Sequence, residues 1–401
     1  MQKYVPYLFG LFLVACITAC GSGGTTAATP VAVYNHPATL ATPNAHMGGA
    51  VQGGAISAKF SNYSVSTWVG IAENAGFSNY STTNGPPALF NHPNDITFDS
   101  KGNNFYVADF GNNAIRKITP SGTVTTLQCT DAATGIIPIG FNRPSGITTD
   151  GTNIYVVDAG SNSIRVIEIA TNKVTIIGSA SGLAGSVDST DNTAVLFNQP
   201  TGITTDGVNL YVTDYNNGTV RWIDTNNNYA VYTLAGTSGA SGSTDGIQGA
   251  ASFNRPGRIT TDGVNLFLTD FGNRTIRKID ILTGIVTTLA GSPGPLGTDV
   301  GTADGIGTAA RFNQPDGITT DGTNLYVTDL FQNTIRKVVI STGAVSTISG
   351  IPKFNVDNTL GQGGSVDSPG TPSFYSPIGI TTDGTSLFVA DTNNNTIRKI
   401  K

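Results

Sequence analysis

Six aspartates stand seven residues ahead of an arginine: Asp109–Arg116, Asp158–Arg165, Asp214–Arg221, Asp270–Arg277, Asp329–Arg336 and Asp391–Arg398. A catalytic carboxylate with an electrostatic partner would look the same locally. Across a four-residue hairpin loop, however, this spacing sets both side chains on one sheet face, a diagonal step apart. Present six times over, the pair reads as scaffold. What differs between copies is the better place to look for chemistry. A recurring Pro is preceded by His92, Arg143, Gln199, Arg255, Gln314 and Ser376, and followed by Asn94, Ser145, Thr201, Gly257, Asp316 and Ile378. At the next position Asp95 and Arg258 replace the usual Gly. The oxygens of Asn94, Asp95 and Asp316 suit a cation such as calcium, although three side chains are thin for its usual six to eight ligands. Arg143, Arg255 and Arg258 suit an anion. His92 completes the candidate ligand-binding set.

Other reaction chemistries find little support. There is no Gly-x-Ser-x-Gly elbow and no phosphate-binding glycine loop. The only two glutamates, Glu73 and Glu168, lie away from the variable positions. Cys129 stands where sibling copies carry Gly, with no base nearby, and reads as a tolerated small residue. The stretch Asp299–Gly305 loosely resembles a calcium loop, but no Glu closes it. The recurring Asp188, Asp245, Asp304 and Asp367 are expected to cap turns. With 21 basic against 26 acidic residues and a net charge of −5, the chain lacks the basic footprint that nucleic-acid binding needs.

The elements that must position these residues follow from the repeat. Pro93, Pro144, Pro200, Pro256, Pro315 and Pro377 are spaced by 51, 56, 56, 59 and 62 residues. A fixed core with insertions at one point places the variable loops on one face. Each copy reads as four short strands: Gly-Ile-Thr-Thr-Asp, then Leu-Tyr-Val-Thr-Asp after an Asp-Gly turn, then Thr-Ile-Arg-Lys-Ile, then a Val-Thr-Thr-Leu-Ala-Gly type. The Asp-Gly turns at Asp150, Asp206, Asp262, Asp321 and Asp383 are hairpin chemistry. Strands apolar on both faces need neighbours on both sides, which suits blades packed round an axis. The sixth copy ends at Lys401 without its fourth strand, whereas Val65-Ser66-Thr67-Trp68-Val69-Gly70 matches Val231–Gly236. The N-terminal segment is therefore expected to complete the last blade and close the ring.

Pro-x-Gly-Ile-x-x-Asp, Leu-Tyr-Val-x-Asp, Asn-x-Ile-Arg-Lys and the lead-in Asp304-Gly305 through Phe312 resemble NHL repeats over residues 65–401. The resemblance implies an all-β, six-bladed β-propeller of NHL type. It leaves function open, because NHL-like proteins include RNA-binding, protein-binding and enzymatic members. The amidating-lyase branch holds zinc with several propeller histidines. Here His36 and His46 precede the propeller, leaving His92 alone in it.

The N-terminus reads as an address. A charged start is followed by an apolar run from Tyr4 to Ile17, too short to span a bilayer comfortably. Ile17-Thr18-Ala19-Cys20 resembles the lipobox of bacterial lipoproteins, so residues 1–20 are expected to be a signal peptide and Cys20 the lipidated residue. Cys16 also fits the motif, but would leave an apolar segment on the mature end. Residues 21–64, rich in Gly, Thr, Ala and Pro, read as a flexible tether. Together these features lead to a monomer held in the bacterial cell envelope, at the outer membrane or cell surface, by its lipid anchor. It would bind a protein or glycan ligand through its long-loop face, with no cofactor. The alternative is a calcium-dependent hydrolase or lactonase-like enzyme with its site at the channel mouth.

Overall fold

The computed structural model describes residues 63–79, 87–135, 140–179, 181–294, 301–350, 363–367 and 372–401. The expected signal peptide, Cys20 and all but the last two residues of the expected tether lie outside the described residues. Among those described, no helix is long and apolar enough to cross a membrane.

Six antiparallel sheets form the blades of a β-propeller. In chain order the innermost strands are Pro93–Asp99, Pro144–Thr149, Pro200–Thr205, Pro256–Thr261, Pro315–Thr320 and Pro377–Thr382. Each lies beside the next, and the sixth lies beside the first. Six apolar clusters fill the spaces between blades: Tyr211 and Val220 of blade 3, for example, pack with Leu266 and Ile279 of blade 4. The strands carry apolar side chains on both faces because each blade is covered on both sides.

Val65–Gly70 pairs antiparallel with Thr396–Ile400, so the first strand of the chain is the outermost strand of the last blade. Ser64 and Lys401 extend the ladder by exchanging backbone hydrogen bonds. Ring closure thus occurs as the repeat count requires. Neighbouring blades are also stitched through the turns. The side-chain oxygens of Asn113, Asn162 and Asn333 accept the backbone N–H of Arg143, Gln199 and Ser376 in the following blade, at 2.8, 2.7 and 2.8 Å. Asn395 accepts from His92 at 2.8 Å and closes the circle. These four asparagines all occupy the left-handed backbone region that Asn tolerates best among side-chain-bearing residues.

Three blades gain a short fifth strand that the repeat pattern does not reveal. Thr130–Asp131 runs parallel to blade 2's outer strand, while Gly246–Ile247 and Gly305–Ile306 run antiparallel to those of blades 4 and 5. The lead-in segments thereby cover sheet edges that would otherwise present unpaired backbone groups.

Candidate functional site

The seven-residue Asp–Arg spacing does what the strand geometry requires. Asp270 pairs with Thr275 and Leu268 with Arg277 across one hairpin. This puts Arg277 Nη1 2.8 Å from Asp270 Oδ2, both side chains fully buried. The guanidinium goes on to meet Asp245 at 2.8 Å and the carbonyls of Ser252 and Thr244 at 3.0 Å each. Its carbon lies 5.1 Å from the Phe253 ring centroid. The remaining oxygen of Asp245 accepts the Thr288 N–H at 3.0 Å. Arg221, Arg336 and Arg398 repeat the pattern with Asp188, Asp304 and Asp367. The recurring loop aspartates are therefore not turn caps but latches between a buried arginine and the outer strand. In blade 1 Asn79 takes that place. A charge consumed by so many partners is scaffold.

The Asp-Gly turns also behave as hairpin chemistry. Asp262 Oδ1, for example, accepts the N–H groups of Val264 and Asn265 at 2.9 and 2.6 Å. Cys129 is buried, and that burial raises its thiol pKa to about 11, which disfavours the thiolate a nucleophile needs.

The variable positions do gather at one mouth of the channel. Here the inner strands begin, the second strands end, and the long loops arrive. His92, Arg143, Gln199 and Arg255 are exposed, while Asn94, Gln314 and Asp316 are half-buried. His92 Nδ1 is engaged by Asn91 Oδ1 at 2.7 Å.

At the narrowest point the glycines have a steric purpose. A Cβ on Gly146 would come within 2.4 Å of the Thr201 carbonyl, and one on Gly317 would collide with that of Ile378. Asp95 and Arg258 replace glycine in blades 1 and 4, which face each other in a six-blade ring. Their side chains meet across the axis, with Arg258 Nε 3.5 Å from Asp95 Oδ2. Arg258 also donates to the Thr201 carbonyl at 2.8 Å and to the Asn94 side-chain oxygen. Asp95 accepts the N–H groups of Ile96 and Ile147 at 2.9 and 3.1 Å. Burial raises its pKa to about 6, with Arg258 pulling the other way and Asp316 adding a smaller push upward. Asp95 and Arg258 line a space of about 40 Å³ together with Thr97, Thr148, Thr204, Thr260, Thr319 and Thr381 and the neighbouring isoleucines. It is large enough to hold water.

The expected calcium ligands thus converge on the axis, but in a form that fits a cation poorly. Asn94 is committed to a guanidinium, and Asp95 already takes two backbone hydrogen bonds and a positive charge. Among the described residues no group of three or more His, Cys, Asp or Glu could hold a metal ion.

A further ring of positions at this mouth is not evident from the prolines. The residue after each paired Asp sits in the turn that faces the mouth, and it varies: Phe110, Ala159, Tyr215, Phe271, Leu330 and Thr392. Variation within the repeat is the signal in the sequence that could have found it, and the invariant Asp alongside masks that signal. The Tyr215 and Phe271 rings lie 6.3 Å apart at 57°. Burial pushes the Tyr215 hydroxyl pKa up, while the Arg255 charge opposes this and Asp316 pushes it further.

Comparison with known proteins agrees with this architecture. Residues 90–118 match the model of the NHL repeat. The chain is 26% identical over 280 residues to Protein SUPPRESSOR OF QUENCHING 1, chloroplastic, of Arabidopsis thaliana, covering 65% of this chain and 26% of that one. It is 34% identical over 139 residues to NHL repeat-containing protein 2 of Bos taurus, covering 33% and 18%. The chain therefore spans about a quarter or less of the curated relatives it matches. Among solved structures, a protein of unknown function from Bacteroides thetaiotaomicron superposes with a TM-score of 0.61 at 21% identity, covering 84% of this chain and 75% of that one. An auxiliary nutrient binding protein from the same organism gives 0.60 at 18%, covering 84% and 76%. At these identities the likeness is one of fold.

Proposed function

We propose that this propeller is a binding module that meets a protein or glycan of the cell envelope through its long-loop face, held to the membrane by lipid on Cys20. The supporting observation is the division of labour among its charges. The six repeated Asp–Arg pairs are buried in the blades, so differences between blades are concentrated at one mouth. A rigid scaffold carrying variable side chains on a single loop-bearing face is how binding sites are commonly built. The tether, at roughly 35–40 Å of typical reach for its 44 or so residues, would lift that face off the membrane.

The alternative, a calcium-dependent hydrolase, is weakened by Arg258, which stands among the very oxygens that reading requires.

The test has two arms. Cells fed labelled palmitate should incorporate it into the wild-type protein and not into Cys20→Ser. If Cys20→Ser remains labelled and membrane-bound, the anchor assignment fails. Capture of envelope components by the native protein should be lost when Gln199 and Arg255 are both replaced by Glu. Capture that survives would move the binding face elsewhere.

A further inference from the structure

The mouth is uneven round its circumference. At the turn position blades 2 and 6 contribute the small side chains Ala159 and Thr392, whereas blades 1, 3, 4 and 5 contribute Phe110, Tyr215, Phe271 and Leu330, and blade 5 adds Asp316 after its proline. Arg255 is exposed, and its charge lies near enough to the Tyr215 hydroxyl to oppose that group's upward shift. Asp316 is desolvated, which raises its pKa, and Arg258 is the single charge that counters the effect. Yet the Asp316 carboxylate is half-buried at an open mouth, and its side chain accepts no hydrogen bond from any described residue. A half-buried carboxylate with no protein donor is left free to accept hydrogen bonds from whatever occupies the mouth.

We propose that this side of the mouth binds a neutral saccharide, with Asp316 accepting from ligand hydroxyls, Arg255 donating to ligand oxygens, and the Tyr215–Phe271 pair covering an apolar sugar face. The choice follows from the charges. An amine would suit Asp316 but confront Arg255 and Arg258, and an anion would suit the arginines but confront Asp316. Vicinal hydroxyls both donate and accept, so they satisfy the carboxylate and the guanidinium together. The C–H face of a pyranose matches an aromatic surface. This inference rests on the binding-module reading and narrows its ligand.

The experiment uses the full chain in detergent on an array of immobilised neutral oligosaccharides built from hexoses and N-acetylhexosamines, with calorimetry on the strongest binder. At least one sugar should bind. Asp316→Asn, which keeps the side-chain shape, and Tyr215→Ala should each weaken it about tenfold or more, while Val264→Ser at the opposite end of blade 4 leaves it unchanged. Thermal unfolding of each variant separates lost contacts from lost folding. An array with no binder overturns the proposal, as does binding indifferent to both mouth variants. A blank array alongside a protein captured at the same mouth would refute the saccharide and leave the module reading standing. A blank array with nothing captured would refute both.

Discussion

Arg258 Nε stands 3.5 Å from Asp95 Oδ2 although the two residues lie on opposite sides of the propeller. Both replace a glycine, and both are nearly buried. Their meeting turns a channel into a floored mouth, and both line a small space together with threonines of the inner strands. The floor has a net negative balance, because Asp316 adds a second carboxylate to one guanidinium.

Removing the guanidinium should expose that imbalance. Arg258→Met leaves Asp95 buried without its counter-charge, and denaturant unfolding at pH 7.5 should show a loss of about 3 kcal/mol. The double variant Arg258→Met with Asp95→Asn should recover much of it. A single variant as stable as wild type would mean that the bridge contributes nothing.

The pH dependence has a definite sign. The folded pKa of Asp95, about 6, lies above the unfolded value near 3.9. Between those values the native state holds more protons than the unfolded one, so stability falls as pH rises from about 4 to 6. The raised Asp316 acts in the same sense. Comparing wild type with Asp95→Asn isolates the contribution: the wild-type protein should lose more stability across that window than the variant. Parallel curves would contradict the assignment.

Much of this is legible in the chain because repetition is loud. Six prolines in register, six Asp–Arg spacings and an orphan strand at Val65–Gly70 are enough for the propeller and its closure. Asp95 and Arg258 stand out because they replace a repeated glycine, and Asp316 as the acidic member of a position that differs in every blade. Their relation does not, since only closure of the ring sets blade 1 opposite blade 4 and lets Arg258 pair across the axis. The loop aspartates mislead for a similar reason. Their partners lie about 30 residues away, as Asp245 does from Arg277, and local turn chemistry is the nearest explanation in the sequence.

The latches should be worth more than the hairpin pairs alone. Arg277 serves two carboxylates, two carbonyls and a phenyl ring, whereas Arg165 hydrogen-bonds only Asp158 among the described residues and is 11% exposed at its side chain. Arg277→Lys keeps the charge but loses the fork and should cost about 2–3 kcal/mol. Arg165→Lys, which disturbs only the Asp158 contact, should cost about 1 kcal/mol. Equal losses would show that the loop contacts are energetically idle.

Ring closure makes a further prediction. Deleting residues 65–70 uncovers the Thr396–Ile400 edge and removes Val65 and Val69 from the core. Size-exclusion chromatography should show association or aggregation of the truncated chain, because an open edge invites pairing. A monodisperse product with an unchanged melting temperature would contradict the closure.

Calcium offers a direct check on the floor. With Arg258 among the oxygens, excess calcium should leave the thermal midpoint where EDTA leaves it. A rise of several degrees that disappears in Asp95→Asn would instead restore the hydrolase reading.

The measurement closest to the central claim is site-specific photo-crosslinking in intact cells. A photoreactive residue at Gln199, exposed on the mouth, should capture an envelope component, and one at Val264, 63% exposed at the opposite end, should not. Capture at Val264 with none at Gln199 would place the working surface on the wrong end of the propeller and overturn the account.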